Sequence, residues 1–165
     1  MSVVTLKGDT TPDITKIIEG GEDKVKVYHK VVESQPASGE AVAFEAGDII
    51  AYLSDLGEFG ASKETKEVAL YHLKNKAKLT TGSSIKDLSV TEALTKSGME
   101  NIKAAYKANS YIVTAMFDSA GNQLYGCFGS ISDWGSTIPN GDTCTLTYTL
   151  ALTDDEITCT EPVAS

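Results

Sequence analysis

The stretch "YIVTAMFDSAGNQLYGCFGSISDWG", residues 111–135, decides how the rest of the chain is read. Tyr111, Val113, Ala115 and Phe117 alternate with Ile112, Thr114 and Met116, the period-two pattern of a strand that carries apolar groups on both faces. Residues 118–122 supply the turn, with Gly121 and Asn122 both suited to a positive φ. The returning strand, QLYGCFGSIS, holds Gly126 and Gly129 in its interior. Glycine weakens a strand, so it marks a bulge, a sharp coil or the close approach of another backbone. The segment therefore reads as a hairpin whose second strand is closed by Trp134, packed over the sheet.

Downstream, Asn140–Gly141 is a second strong turn signal, and TCTLTYTLALT alternates cleanly after it. Cys144, Leu146, Tyr148, Leu150 and Leu152 make an apolar face opposite Thr143, Thr145, Thr147 and Thr149, so one face meets a core and the threonine row meets solvent or a neighbour. DDEITCTEPVAS, residues 154–165, reads as an acidic extended tail. Upstream, Met99, Ile102 and Tyr106 share one side of the only convincing helix, with Ser97 as its cap and Asn109–Ser110 as its stop. KVKVYHKVVE, residues 24–33, alternates as a strand, and AVAFEAGDIIAYLSD, residues 41–55, reads as one long or two short strands bent at Gly47–Asp48. LGEFGASKETKE, residues 56–67, shows no periodicity and is longer than most connections, which points to a functional or mobile loop. EVALYHL, residues 67–73, reads as a strand, and Lys74, Lys76 and Lys78 share a face if the chain stays extended. ITKIIEGG, residues 14–21, reads as a short helical piece ended by Gly20–Gly21. The whole is expected to be one domain over residues 1–165, mainly β: an antiparallel β-sandwich or barrel carrying one α-helix.

Charge narrows the function. All 14 basic residues are lysine, and the last is Lys107. Asp118, Asp133, Asp142, Asp154, Asp155, Glu156 and Glu161 follow with no base among them, so this C-terminal part holds most of the net charge of −9. Such a surface repels polyanions, and without arginine the bidentate reader of phosphate and guanine is missing. Tight nucleic-acid binding is not expected. No apolar run is long enough to span a bilayer, and MSVVTLKGDTTPD lacks the basic start and apolar stretch of a signal peptide.

Enzymatic constellations are poor. His29 and His72 stand alone in strand patterns, with nothing to complete a zinc set. There is no nucleophile elbow, phosphate loop or dinucleotide fingerprint, and Asp154–Asp155–Glu156 lacks the alternate spacing of a calcium loop. Cys127, Cys144 and Cys159 cannot all pair with one another and lie in strand contexts, which favours buried thiols. The expectation is a non-enzymatic protein without cofactor or metal.

Three stretches carry a family likeness: "LSDLGEFGASKETKEVALYH" (residues 53–72), "IKDLSVTEALT" (85–95) and "QLYGCFGSISDWGSTIPNGDTCTLTYTLALT" (123–153). In order and local text, residues 40–155 resemble a bacteriophage tail tube (major tail) protein. The resemblance implies a β subunit that closes into hexameric rings, which stack into a hollow tube with a negatively charged lumen for DNA ejection. It implies a place in the virion tail after assembly in the host bacterial cytoplasm, other phage tail proteins as partners, and transient, non-adhesive passage of DNA. The candidates for the lumen are Asp118, Asp133, Asp142, Asp154 and Asp155. Those for contact between rings are Glu58, Lys63, Glu64 and Lys66. The rival is a non-enzymatic β-sandwich binding or adhesion module, with Trp134, Tyr125 and Phe128 as its aromatic cluster, or another tail or baseplate component.

Overall fold

The computed structural model describes residues 11, 13–21, 24–69, 71, 74 and 77–162, so His72 and Lys76 lie outside the described residues. The elements run β1 (Val25–Val32), β2 (Val42–Ala43), β3 (Leu53–Leu56), β4 (Ala61–Val68), β5 (Ala77–Ile85), β6 (Leu88–Ala93), α1 (Lys96–Lys107), β7 (Tyr111–Asp118), β8 (Gln123–Thr137), β9 (Thr145–Asp154) and β10 (Cys159–Thr160). Six strands pair antiparallel in the order β1-β7-β8-β9-β6-β3, a sheet curled like half a barrel. The mainly β, antiparallel, one-helix expectation holds. Short 3-10 turns sit at Ile14–Lys16, in place of the helical piece, and at Ala46–Asp48, the bend placed at Gly47–Asp48.

β7 and the first part of β8 bury both faces. Ile112 and Met116 of β7 point to one core with Val27, Cys127, Ile131, Leu146, Tyr148 and Leu150, and α1 closes it with Ile102. Val113, Ala115 and Phe117 point the other way, to a second core with Tyr28, Phe44, Phe128, Ile157 and Cys159. Each fully buried Leu or Val side chain contributes about 1.5–3 kcal/mol. β10 pairs parallel with β2 and lies over this second core. The C-terminal segment is extended where it forms β10, and it packs on the body: Ile157 and Cys159 are buried.

Two further corrections concern local structure. Thr95, not Ser97, caps α1, accepting from the Gly98 amide at 3.1 Å. The turn glycine Gly121 takes φ 90° as expected, whereas among non-glycine residues described only Asn109 has a positive φ, at the stop of α1. Asn122 instead donates its amide to the Asp118 carboxylate at 2.8 Å.

The largest correction lies at 56–67. Its residues are not a structureless loop: 61–67 belong to β4, which pairs with β5 over Ala61↔Ile85 to Val68↔Ala77 as a separate two-stranded arm. The strand expected over 67–73 ends at Val68, and of the lysine row Lys78 is in β5 while Lys74 is in a bend. β4 is exposed along almost its entire length, so it carries no alternation to reveal it. Cys127, Cys144 and Cys159 are free thiols, and burial pushes Cys127 up to about 12 and Cys159 to about 11, leaving both unreactive.

Candidate functional site

The second core covers only half of its sheet face. It lies under β1, β7 and the start of β8, and where it ends the same face continues, uncovered, over the rest of β8 and over β9, β6 and β3. Register defines this open surface, because residues paired across a ladder share a side. Its rows are Asp55–Thr91–Thr147–Gly135, Ser89–Thr149–Asp133 and Ala93–Thr145–Thr137, with Ser130 beside Ala151. The opposite side of the same strands, with Leu88, Val90, Leu146, Tyr148 and Leu150, is core. No lysine and no large apolar side chain occupies any of these positions. The surface is small and hydroxylated, with Thr91 Oγ1 and Thr147 Oγ1 3.3 Å apart, and its two carboxylates, Asp55 and Asp133, are exposed on its flanks.

Bulges shape this face. β8 slips register at Phe128/Gly129 and again at Ile131/Asp133, and each slip coils the strand more strongly. Gly129 permits the first: a Cβ built there would stand 2.1 Å from the Ala151 carbonyl oxygen. Gly126 is equally tight, 2.1 Å from the Ile157 carbonyl oxygen, where the C-terminal segment crosses β8. The close backbone approach expected from these glycines is what the structure contains.

The other aspartates singled out are tied into local hydrogen bonds or half-buried, Asp154 opposite Phe128 at the covered part of that side. Asp118 accepts from the Ala120 and Asn122 amides, and those bonds, led by Asn122, hold its carboxyl below the usual range. Asp142 accepts from the Thr143 amide at 2.7 Å, and Asp154 from Gln35 Nε2 at 2.8 Å and the Glu156 amide at 2.9 Å. Asp155 is half-buried beside the Gly126↔Glu156 bridge. Glu58 pairs with Lys86 at the root of the arm, while Lys63, Glu64 and Lys66 are exposed on β4. The aromatic residues do not form one exposed cluster: Trp134 and Tyr125 pack on the first core, and Phe128 lies in the second, stacked on Tyr111.

On the other side of the sheet a cleft of about 490 Å³ separates α1 from β1, lined by His29, Val31, Ile102, Ala104, Ala105 and Ala108 among others. Tyr148 OH lies 3.3 Å from His29 Nδ1. Burial drives the His29 pKa down, against a smaller upward pull from Asp48. The folded chain therefore favours neutral His29, and the stability this group permits is present above the unfolded value of about 6.5 and lost as pH falls below it. Chemical denaturation at pH 7.5 and 5.5 is expected to show a smaller drop for His29→Gln than for wild type. An equal drop would remove His29 as a source. Among the described residues no group of three or more His, Cys, Asp or Glu could hold a metal, and no helix is long and apolar enough to cross a membrane.

The geometry has solved counterparts. No family model and no curated protein sequence matches the chain. The SPP1 tail tube, solved by solid-state NMR and cryo-EM, matches at TM-score 0.52 and 17% identity over 82% of this chain and 76% of that one. The PVC sheath–tube complex of an extracellular contractile injection system matches at 0.54 and 13%, covering 90% and 97%. The anti-feeding prophage baseplate matches at 0.55 and 9%, covering 84% and 94%. The chain has the tail-tube fold. At these identities the likeness concerns backbone architecture, and the tail-tube-fold chain keeps its own surface chemistry, of which the cation-free open face is the main feature. Asp133, one of the five lumen candidates, stands on this face, and so does Asp55, which was not among them and whose only sequence signal is its place in a four-residue strand.

Proposed function

We propose that this chain is a structural subunit of a phage tail tube or of a related contractile injection tube. It polymerises as hexameric rings that stack into a hollow conduit, and the open face of β3, β6, β9 and the later part of β8 lines the lumen. The observation that carries this reading is the composition of that face, small and hydroxylated, with two acids and no cation. A lysine on a wall facing a passing polyanion would bind phosphate with a salt-dependent affinity and add friction. Hydroxyls hydrate the wall, and the Asp55 and Asp133 carboxylates keep its field repulsive. The lumen assignment thus falls on Asp133, joined by Asp55, and leaves Asp118, Asp142, Asp154 and Asp155 to turns and to the outer subunit. The arm, with Lys63, Glu64 and Lys66, reaches the neighbouring ring. Trp134 and Tyr125 on one core and Phe128 in the other do not make the aromatic cluster that an adhesion module would use.

Electron microscopy of the purified chain over a concentration series tests the assembly: six-fold rings or hollow tubes are expected, and monomers with no ordered polymer would count against it. Charge tests the lining. Asp55→Lys with Asp133→Lys is expected to leave tubes of normal pitch that retain added double-stranded DNA at low salt, released about tenfold or more between 50 and 200 mM salt. Tubes of the variant that hold no more DNA than wild type would remove these residues from the lumen.

A further inference from the structure

We propose that the segment around Ile14, Ile17 and Ile18 of one copy docks into the cleft between α1 and β1 of a neighbouring copy. The proposal rests on the reading that the chain polymerises, and names one contact within that assembly. The three isoleucines are 82%, 64% and 57% exposed, an apolar concentration that a soluble surface does not keep without use. Local bonds also order the segment that bears them. Asp13 accepts from the Thr15 amide at 2.9 Å, the Ile17 amide closes the 3-10 turn on the Ile14 carbonyl at 3.3 Å, and Glu19 pairs with Lys24 at 2.9 Å. Such pre-organisation lowers the ordering penalty of docking.

The cleft is the matching surface. Its helix wall is made small by Ala104, Ala105 and Ala108, its floor holds Ile102 and Ile112, and Val31 stands exposed at its edge. Charge selects the pairing. The described segment carries Asp13 and Glu19, the latter paired with Lys24, whereas α1 carries Lys96, Lys103 and Lys107 against Glu100, and the cleft wall beside it holds Lys30 and Asp48. An acidic, isoleucine-bearing segment thus meets a basic helix beside an apolar cleft, in a chain whose overall charge would otherwise hold copies apart. A second copy is the partner that supplies both halves in equal number.

Disulfide trapping tests this on the full chain with Cys144→Ser, which removes the half-exposed thiol. One preparation carries Ile17→Cys and another Ala108→Cys, and the two are mixed before oxidation. A cross-linked heterodimer is expected, and Ile14→Ser with Ile17→Ser and Ile18→Ser is expected to raise the concentration needed for assembly by about tenfold or more without changing the thermal unfolding of the subunit. Tubes that form normally with no cross-link, and unaltered assembly of the serine variant, would overturn the docking and leave the tube reading standing. A cross-link in mixed dimers that never extend to rings or tubes would keep the docking and remove the tube. A cross-link that forms only when both cysteines share one chain would show the segment folding onto its own cleft, and would overturn the proposal. Wild-type monomers at every concentration, with no cross-link in the mixture, would remove both.

Discussion

Gly129→Ala is expected to destabilise the subunit by about 3 kcal/mol or more, the upper end of what overpacking does. The new methyl group would meet the Ala151 carbonyl oxygen at 2.1 Å, with the Ala151 carbon and Leu152 Cα at 2.9 Å. All three atoms are backbone of the paired strand β9, so no rotamer change can relieve the contact. Either the ladder between β8 and β9 opens or the bulge at Phe128/Gly129 is lost, and both undo the curvature of the open face. Gly135 lies on the same strand with nothing within 4 Å of its ideal Cβ, and Gly135→Ala should stay within about 0.5 kcal/mol of wild type. Urea unfolding of the two variants side by side checks this. With slopes of about 1–3 kcal/mol/M, the Gly129 variant should lose about 1 M or more in midpoint while the Gly135 variant does not move. Equal midpoints would mean that the bulge accommodates a side chain and that the glycine serves some other need.

Replacing residues 62–84 by a two-residue Asn-Gly turn is expected to abolish polymerisation, with the subunit's own unfolding midpoint almost unchanged. The arm contributes no residue to either core, so its removal takes nothing from the packing that holds the sheet. A two-stranded ribbon with both faces in water is marginal by itself, which argues that β4 and β5 exist to be covered by another copy. Sedimentation of the variant over the concentration range in which wild type forms tubes gives the outcome directly. Tubes of normal pitch from the shortened chain would remove the arm from assembly, and an unfolded chain would show that the arm supports the subunit itself. The point variants Lys63→Glu and Lys66→Glu keep the question open to measurement in that case, since exposed charges should alter assembly without altering folding.

What was legible in the sequence was whatever depended on periodicity, turn chemistry and backbone conformation. The alternation over 111–117 divided the side chains of β7 between two faces, and the two cores follow that division. Glycines at 126 and 129 announced a bulge, a sharp coil or a close backbone approach, because a missing Cβ inside a strand is unfavourable unless geometry demands it, and the structure holds both a bulge and the close approach. The threonine row of 145–149 announced a face that is not core.

Tertiary structure alone decided what those faces do. β4 escaped notice because a strand exposed on both sides has no burial to impose an alternating pattern. Cys159 reads as buried, but what buries it and Ile157 was not legible, because their partners, Val42 and Phe44, lie more than a hundred residues away in the chain. Asp55 and Asp133 come from strands that never pair with each other, yet both stand on one open surface because β6 and β9 lie between them in register. Local sequence can state which way a side chain alternates. Only the order of strands and the length of the covering layer determine that half of one sheet face becomes core while the other half stays open, hydroxylated and free of cations.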